Sequence, residues 1–461
     1  MAVLALREYQ RIDCGPAFDP EKRTVTLAQH RALEQFSEEY KRLHKVTVFQ
    51  NGPRQSLIAQ NFVGVVNLGR DQVEVLPKIE GDISHVRHNL ARMIATVIDL
   101  ELYDGDASKI EKSDDSILEI LIRLFCDRLW QSIRRGMVRR YETRSENLPL
   151  LRGRLSVTEQ IRQNLARPDR LACVFDEFSE NNPLNQALKA ALRVLAKVAR
   201  SQANQRNIAE LIFCFQDVDD VLPAAINWGL ASTNRLSARY KPLLALARLF
   251  IEGKSPDVVS GTDAGFALLF DMNKLFESYI GRIARRVFGA QGLTVSLQGP
   301  RKYLAERTNG NPVFQLRPDI VASHESGIAF IIDTKWKRLD ESDNREGIAT
   351  PDIYQMYAYA NQYAAPDVVL LYPHHAGLGH WQPKRAEYWL NVSEESGLAL
   401  RKRISVSTID LRDLKTVPGK LAEIVSALQP VSAGLIRGLQ TSGHDVLEQR
   451  MQADVEVCPL G

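Results

Sequence analysis

The amino-acid sequence predicts an α+β multidomain fold, with an N-terminal α+β region at residues 1–110, a helical middle region at 111–260 and a C-terminal region at 261–461 where helices alternate with strands. The first observation behind this prediction is size, because 461 residues with 44% hydrophobic content suffice for several cores. The second is that short alternating segments give way, near residue 114, to apolar residues at helical spacing. The third is a stretch rich in Gly, Ser, Pro and Asp at 253–265, after which a mixed order of helices and strands begins.

The composition is that of an ordinary globular protein. Charged residues make up 25% of the chain and the net charge is only +3, so a binding site for a polyanion has to be local. The five cysteines lie far apart, which excludes CxxC metal sites and gives no pattern for disulfides. The sequence shows neither a signal peptide nor an apolar run of about 18 to 20 residues, so we expect a cytoplasmic protein with no membrane partner.

The first hundred residues mix strands with helices. Alternating apolar residues bounded by Gly, Asn, Asp or Pro predict strands at 46–49, 62–67 and 73–76. Helical spacing predicts helices at 27–43 and 86–98. A polar, turn-prone stretch at 103–108 marks the first domain boundary.

The basic excess of the chain lies in the middle region, and its densest cluster consists of Arg134, Arg135, Arg139, Arg140 and Arg144. These arginines could follow a DNA backbone, and we take Arg139 and Arg140 as the candidate DNA contacts. The alternative is a solvated helix face, which is the commoner meaning of such a run.

Residues 175–186 have the sequence of a helix start. Asn182 can serve as the N-cap, Pro183 suits the first helical position, and the acidic residues before them favour the positive end of the helix dipole. Asp176 and Glu177 could instead bind a metal, but no partner at a fixed spacing supports that interpretation, so capping is preferred.

The C-terminal region carries the most apolar strand of the chain. Its pattern predicts helices at 271–288, 353–363 and 420–439, and strands at 294–297, 313–323, 328–335 and 368–372. The turn His324-Glu325-Ser326-Gly327 joins the second and third of these strands into a hairpin.

Two short strings in this hairpin carry the candidate chemistry: Arg317-Pro318-Asp319-Ile320 and Asp333-Thr334-Lys335. If the turn closes the hairpin, Ser323 faces Ile328 and Asp319 falls opposite Ile332, one residue from Asp333, so the two carboxylates can converge. Asp333 and Lys335 are two residues apart on one strand, so both side chains leave the same face. The sequence therefore predicts that three charged groups meet at the edge of a core.

Two carboxylates at this distance repel each other unless a cation lies between them. A hard divalent ion with oxygen ligands, Mg²⁺ with Mn²⁺ as a substitute, meets that need. Lys335 could then orient or activate a water and balance charge on the phosphorane in phosphodiester hydrolysis. The alternative is a simple ion pair between aspartate and lysine.

Two flanking helices offer further groups. Glu277 could supply another oxygen ligand or hold a metal-bound water, or it could be an ordinary surface glutamate. Gln355 and Tyr359 are four residues apart, share a helix face and could contact a phosphate or a base. The alternative is a helix packed through its tyrosines and Met356, with Gln355 at the rim.

These residues resemble a known family. Pro318-Asp319, then Asp333-Thr334-Lys335, then Gln355 to Tyr359 are similar to the motif of the PD-(D/E)xK nuclease superfamily. The chain also resembles the McrC family of modification-dependent restriction systems, from about residue 60 to 390. The strings that carry this resemblance are LPKI at 76–79, LLRGRL at 150–155, FDEFSENNPLNQALKAAL at 175–192, LRPDI, IIDTKWK and DIYQMYAYA.

The resemblance implies a C-terminal α/β/α nuclease domain with a mixed sheet, in which Asp319, Asp333 and, less firmly, Glu277 bind Mg²⁺ and Lys335 is the catalytic lysine. It implies a DNA endonuclease subunit that cuts double-stranded, modified DNA, with nuclease domains that dimerise. It also implies an McrB-like AAA+ GTPase hexamer as partner, whose GTP hydrolysis the N-terminal part stimulates. The chain contains no GxxxxGK[ST] phosphate loop, as expected if the partner binds the nucleotide.

Two other interpretations remain open at this point. One is a non-cleaving adaptor that uses a nuclease-like fold to dock on an AAA+ ring, although the intact Asp, Asp and Lys set counts against it. The other is a solitary nuclease that acts on ends or RNA. The first 60 residues are not assigned by the resemblance.

Overall fold

The computed structural model describes residues 2–100, 115–231, 235–253, 266–340, 347–390 and 402–428. The chain divides into two compact units. The first unit comprises Met1–Arg282, Thr334–Trp336 and Leu411–Leu414, and the second comprises Ile283–Asp333, Lys337–Asp410 and Lys415–Gly461. The domain boundaries predicted near 110 and 260 fall outside the described residues and stay predictions.

The first unit contains eleven strands among its described residues, in three sheets. They are β1 (Val3–Arg7), β2 (Arg11–Cys14), β3 (Thr24–Val25), β4 (Phe49–Gly52), β5 (Ser56–Ala59), β6 (Phe62–Leu68), β7 (Asp71–Leu76), β8 (Arg140–Leu148), β9 (Arg154–Leu155), β10 (Leu171–Ser179) and β11 (Ala267–Asp271). The sheets have the strand orders β1-β7-β6-β11, β3-β2-β5-β4 and β8-β10-β9.

The helices that begin in the first unit are α1 (Leu27–His44), α2 (Ile83–Val97), α3 (Ile117–Arg134), α4 (Val157–Asn164), α5 (Pro183–Val198), α6 (Gln202–Cys214), α7 (Lys241–Glu252) and α8 (Met272–Ala290). Short 3-10 turns lie at Pro223–Ala225 and Arg235–Tyr240. The predicted helices at 27–43, 86–98 and 271–288 are confirmed to within three residues at each end.

The ends of α1 follow directly from local sequence. Thr26 and Gln29 form a capping box: the Gln29 amide donates to the Thr26 hydroxyl at 3.3 Å and the Thr26 amide donates to the Gln29 side chain at 3.0 Å. Lys45 adopts the left-handed conformation that ends the helix. The buried residues of α1, with Leu33 and Phe36 at their centre, pack in one apolar core with the strands.

The strand predicted at 46–49 is wrong in position, because β4 spans Phe49–Gly52. The strand pairs with β5 so that Phe49 faces Ala59 and Gly52 faces Ser56, which leaves residues 53–55 as the turn. Arg54 and Gln55 both adopt positive φ in that turn, a conformation that the sequence does not reveal for these residue types.

The middle region is not purely helical, since β8, β9 and β10 form a three-stranded sheet there. Arg140 and Arg144 lie on β8 and not on a helix face. The sequence hides this strand because most of its side chains are polar and none is buried, so no apolar residue marks a period of two. Asn182 caps α5 as predicted and accepts from the Asn185 amide at 3.2 Å, and Pro183 is the first residue of this helix; Asp176 and Glu177 before it lie on β10.

The second unit is built around one six-stranded mixed sheet. The described strands of the whole unit are β12 (Thr294–Leu297), β13 (Lys302–Glu306), β14 (Pro312–Leu316), β15 (Ile320–His324), β16 (Gly327–Thr334), β17 (Asp367–Pro373), β18 (Ala386–Trp389) and β19 (Arg403–Ile409). The sheet has the order β12-β15-β16-β17-β19-β18, and β13 pairs with β14 alone. The helices α9 (Thr350–Gln362) and α10 (Val417–Ser426) and a 3-10 turn at Ala376–Leu378 complete the described part.

The single strand predicted at 313–323 is in fact two strands. The chain leaves β14 at Leu316, passes through Arg317 and Pro318, and enters β15 at Ile320. Pro318 has no amide hydrogen for a sheet ladder, so a break is favoured at this point. The result places Asp319 in the bend that leads into the central sheet.

The second unit also has elements that the sequence did not predict, namely β13, β18 and β19. The strand predicted at 294–297 is confirmed without change as β12, and the helix predicted at 353–363 starts three residues earlier, at Thr350. The helix predicted at 420–439 begins three residues earlier, at Val417, and ends at Ser426; the predicted range from residue 429 onward lies outside the described residues. No described helix is long and apolar enough to cross a membrane.

Candidate active site

Asp333 occupies the last but one position of β16, directly after a buried apolar run. Phe330, Ile331 and Ile332 are buried, and Asp333 itself is only 2% exposed. A carboxylate that leaves water at this cost has to be compensated by charge or hydrogen bonds. The position therefore marks Asp333 as a residue with a specific use.

The register of the β15–β16 hairpin near Asp319 differs by one residue from that expected from the sequence. Ser323 faces Ile328 as predicted, but the register shifts between Ala322 and Ser323, so Ile320 pairs with Ile332. Continued by one residue beyond this last pair, the register would bring Asp319 level with Asp333 and not with Ile332. The charges of both aspartates act on the Tyr359 hydroxyl, so both carboxylates lie in its neighbourhood.

The backbone of Asp319 is held by the strand on its other side. Leu297 pairs with Ile320, and the amide of Gln298 donates to the carbonyl oxygen of Asp319 at 2.8 Å. The Arg317 guanidinium donates to the side-chain oxygen of Gln298. Asp319 is thus fixed between β12 and β16 although it lies in a bend.

Tyr359 and Gln355 share a face of α9, as predicted, and they bond to each other. The Gln355 amide donates to the Tyr359 hydroxyl at 2.7 Å, and that hydroxyl donates to the backbone carbonyl of Arg317 at 3.1 Å. Burial raises the pKa of Tyr359, and the charges of Asp333 and Asp319 raise it further. Tyr359 therefore holds the segment before Asp319 and lies within the electrostatic field of both carboxylates.

The packing of α9 differs from the alternative considered for this helix. Met356 and Tyr359 are buried, but Tyr354 is 70% exposed and Tyr357 is 48% exposed. The helix is thus packed through one face only, and two tyrosines remain on its outer side. Whether Gln355 or Tyr359 contacts DNA is not tested by this geometry and stays a prediction.

Three residues near the two carboxylates were missed by sequence reasoning. Asp352, buried at the start of α9, forms an ion pair with Lys337 at 2.8 Å. Burial raises the pKa of the Tyr372 hydroxyl on β17, and the charges of Asp352 and Asp333 raise it further. A signal for Asp352 was present, because Pro-Asp-Ile occurs twice in the sequence, before β15 and at the start of α9.

Lys335 and Glu277 belong to the first unit, whereas Asp319, Asp333, Gln355 and Tyr359 belong to the second. Lys335 follows the last residue of β16 and is partly buried. Glu277 lies on α8 and is also partly buried. Both aspartates belong to one unit and both act on the Tyr359 hydroxyl, and the roles of all four residues in a site remain predictions.

The donor set at the aspartates fits Mg²⁺ better than zinc. Mg²⁺ commonly binds through one or two carboxylates and keeps several waters, which matches two facing aspartates. Structural and catalytic zinc sites use three or four protein ligands with nitrogen or sulfur donors. Over the described ranges, no group of three or more His, Cys, Asp or Glu side chains could hold a metal ion, so the proposal for Mg²⁺ rests on Asp319 and Asp333.

The candidate DNA contacts of the middle region have partners within the first unit. Arg139 forms an ion pair with Glu180 at 2.8 Å, and Arg140 donates to the carbonyl of Leu230 at 2.8 Å. Arg139 is exposed and Arg140 is half-buried, so both stay predictions as DNA contacts.

Asp176 and Glu177, which were considered above as metal ligands, have partners on the β8–β10 sheet. Asp176 accepts from the Thr143 hydroxyl at 2.7 Å, and Glu177 forms ion pairs with Arg144 at 2.8 Å and Arg152 at 3.4 Å. These pairings give both carboxylates a structural role in the β8–β10 sheet.

A family model described as "McrBC 5-methylcytosine restriction system component" matches residues 57–373. The chain belongs to this family. The match covers more than half of this chain. It includes both aspartates, Lys335, α9 and the strings at 76–79 and 150–155. It confirms the resemblance stated from the sequence, and it begins after the first 56 residues.

Two solved structures resemble this McrBC-family chain. One is a refined half-complex from a tetradecameric assembly of Thermococcus gammatolerans McrB AAA+ hexamers with bound McrC, at 19% identity and a TM-score of 0.67, covering 93% of this chain and 100% of that chain. The other is the T. gammatolerans McrBC complex, at 21% identity and a TM-score of 0.49, covering 62% of this chain and 88% of that chain. The first match supports the fold. A search of curated proteins gives no match.

Proposed function

We propose that this chain is the Mg²⁺-dependent endonuclease subunit of a modification-dependent restriction system and that it cleaves DNA phosphodiester bonds at Asp319, Asp333 and Lys335. The observation that carries the proposal is the register of the β15–β16 hairpin, whose continuation by one residue would bring Asp319 level with the buried Asp333. Membership of the McrBC family supports a role in restriction. The order of α8, a mixed sheet with this hairpin, and α9 supports the PD-(D/E)xK layout.

The two aspartates have distinct surroundings, which suit distinct tasks. Asp333 is only 2% exposed, so its carboxylate has little freedom and can hold a cation in a fixed place. Asp319 is partly exposed and lies in a bend, so it can face both the cation and a substrate phosphate. A bound Mg²⁺ would supply Lewis-acid chemistry to the phosphate and lower the pKa of a bound water.

Lys335 supplies the positive charge that the two carboxylates do not. Its ammonium can donate a hydrogen bond to the attacking water and offset negative charge that develops on the phosphate oxygens in the transition state. Glu277 would add a further carboxylate from α8. Gln355 and Tyr359 act one step further out, since they hold the backbone of Arg317 that leads into Asp319.

We further propose that an AAA+ GTPase of the McrB kind is the partner, that this chain stimulates its GTP hydrolysis, and that cleavage requires it. The chain has no phosphate loop of its own, and the T. gammatolerans assembly contains McrC bound to McrB hexamers. Two nuclease domains, one for each strand, would then be brought together by the assembly.

The first unit carries an exposed apolar segment that suits partner docking, which we define as the tip segment, residues 150–165. Its large apolar side chains are exposed and are contributed by the loop after β8, by β9 and by α4 and its end: Leu150, Leu151, Leu155, Val157, Ile161 and Leu165. Such a concentration of exposed apolar residues is typical of a protein–protein contact. The tip segment is the docking surface that we propose for the partner.

The test is cleavage of methylated and unmethylated plasmid by this chain with and without an McrB-type partner and GTP. We expect cleavage only when chain, partner, GTP and Mg²⁺ are all present. Asp333→Asn should abolish cleavage and leave GTPase stimulation intact. Cleavage by the isolated chain would identify a solitary nuclease, and stimulation of GTP hydrolysis without any cleavage would identify a non-cleaving adaptor.

The tip segment is tested separately, by Leu150→Asp with Leu151→Asp. We expect GTPase stimulation to be lost in this double variant. Phe213→Asp is the matched control, because Phe213 is an equally exposed apolar side chain of the first unit outside the tip segment. Equal loss in the control would place the docking surface elsewhere.

A further inference from the structure

We propose that Trp336 is a positioning residue for Lys335 and that it is anchored by Glu8, Lys78 and Phe276, which we call the anchor cluster. The inference rests on the proposed role of Lys335 in cleavage. All five residues belong to the first unit, and Trp336 is joined to Lys335 by one peptide bond.

The indole of Trp336 is bound at its polar edge by a buried carboxylate. Trp336 is 3% exposed, and its Nε1–H donates to Glu8 Oε1 at 2.9 Å and to Glu8 Oε2 at 3.0 Å. A hydrogen bond to a buried charged acceptor is among the stronger contacts in a protein. The ring orientation of Trp336 is therefore fixed by a directional contact in addition to its packing.

Lys78 fixes the backbone of the same residue. Its ammonium donates to the carbonyl oxygen of Trp336 at 3.0 Å and lies 5.5 Å from the centre of the indole ring. The ring of Phe276 on α8 packs against the indole at 5.3 Å between centroids. Side chain, carbonyl and ring face of Trp336 are thus each held by a different element.

Glu8 is itself held in place, so the anchor does not depend on a mobile side chain. The amide of Lys78 donates to Glu8 Oε2 at 2.9 Å, and the amide of Glu8 donates to the carbonyl of Leu76 at 3.0 Å. These contacts link the ends of β1 and β7, which pair in the same sheet. The anchor is part of a rigid sheet edge.

This arrangement gives Lys335 two fixed neighbours. On its N-terminal side β16 ends at Thr334, and on its C-terminal side Trp336 is held by the anchor cluster. A lysine side chain has many rotamers, so its ammonium can be placed reproducibly only when the backbone from which it extends is fixed. Misplacement of a catalytic group by about 1 Å can cost about 100-fold in rate.

The anchor also gives a physical reason for Lys78 and Trp336, two residues to which the proposed chemistry assigns no role. LPKI at 76–79 contains Lys78, and IIDTKWK contains Trp336; the hydrogen bond between them joins residues 258 positions apart. Neither Lys78 nor Trp336 has a role of its own in phosphodiester hydrolysis. Their contact accounts for both, because it connects the first sheet to the residue beside the lysine.

The test compares Trp336→Phe and Glu8→Leu with wild type in two measurements. The first is hydrogen exchange of the backbone amides of residues 334–337 in the full chain. The second is the single-turnover rate of plasmid cleavage by the complex with its partner, together with the DNA concentration at half-saturation. We expect faster exchange and a rate lowered about 10- to 100-fold, with half-saturation unchanged.

Glu8→Gln is the conservative variant, because its side-chain oxygen still accepts from the indole, and it should restore most of the rate. Glu119→Leu is the matched control: Glu119 is another buried glutamate of the first unit, which accepts from Asn204 Nδ2 at 2.7 Å. It should leave both exchange at 334–337 and the rate constant unchanged. An equal effect in this control would show a general loss of stability and overturn the inference.

The two proposals fail in different ways. If wild type does not cleave DNA, the proposed function is wrong, and hydrogen exchange alone decides the anchor. If wild type cleaves and both Trp336→Phe and Glu8→Leu match it in exchange and rate, the anchor is wrong and the proposed function stands.

Discussion

Asp333→Asn should abolish DNA cleavage without lowering the stability of the protein in EDTA. The change removes one negative charge from a pair that faces across the β15–β16 ladder, while the volume and one acceptor oxygen stay. We expect DNA cleavage to fall by at least about 1,000-fold, since a residue that holds the metal is lost. In EDTA, however, we expect the variant to be at least as stable as wild type.

The magnitude follows from the spacing of the two carboxylates. Two unit charges about 5 Å apart repel by about 3 kcal/mol at an effective dielectric constant of 20. Partial exposure of Asp319 reduces that value, so the variant should gain between about 0 and 3 kcal/mol in the free energy of unfolding. Mg²⁺ at about 100 times its dissociation constant should add about 2.7 kcal/mol to wild type and much less to the variant.

The assay is urea unfolding of both proteins in EDTA and in Mg²⁺. Asp352→Asn is the matched control, because Asp352 is a buried aspartate whose partner is Lys337, and its loss should destabilise the protein in both buffers. The reasoning is refuted if Asp333→Asn is less stable than wild type in EDTA by more than about 1 kcal/mol, or if Mg²⁺ stabilises both proteins equally.

Three further outcomes are expected. Lys335→Arg should fail to cleave in plasmid nicking assays, because a planar guanidinium cannot replace a compact ammonium beside a water; a rate near wild type would remove Lys335 from the site. Cleavage should be restored after EDTA by Mg²⁺ or Mn²⁺ and not by Zn²⁺, and full activity in EDTA would contradict the metal mechanism. Above its ordinary pKa of 10.0, unfolded Tyr359 ionises while burial keeps the folded residue neutral, so stability falls as pH rises. In Tyr359→Phe the slope of unfolding free energy between about pH 10 and 11 should be shallower by up to about 1.4 kcal/mol per pH unit, and an unchanged slope would contradict the raised pKa.

Elements with strong local signals were predictable from the sequence. The helix α1 has a capping box at its start, and the strand β12 is bounded by turn residues, so both were placed almost to the residue. In each case the atoms that define the ends lie within three or four positions along the chain. Local sequence is then sufficient, because no distant partner has to be known.

Elements that depend on distant partners were not predictable. The polar strand β8 exists because β10 pairs with it over nine residues, and its own side chains carry no apolar alternation. The strand β18 likewise forms at the edge of the large sheet, where it pairs with β19. For these strands the pairing partner decides the structure, and a single sequence does not contain it in readable form.

The candidate site was likewise predictable from the sequence only in part. Residue types and order identified Asp319, Asp333 and Lys335, because two acids and a lysine at the end of an apolar strand are chemically unusual. The surroundings were missed: the ion pair of Asp352 with Lys337 and the contact of Trp336 with Glu8 join residues 15 and 328 positions apart. No spacing rule links such residues before the fold is known.

The meeting of the two aspartates depends on one extra residue in β16. A regular ladder continued from Ser323 and Ile328 would set Asp319 against Ile332, whereas the observed pairing of Ala322 with Phe330 leaves Ala329 without a facing residue and moves Asp319 onto Asp333. The sequence hides this bulge because nearly every residue of β16 after the turn is apolar, so a shift by one position leaves the pattern unchanged. An alternating strand would have exposed such a shift at once, since its apolar side chains would turn toward solvent. The apolar strand β16, in which Asp333 is buried, is therefore also the strand whose register could not be determined from the sequence alone.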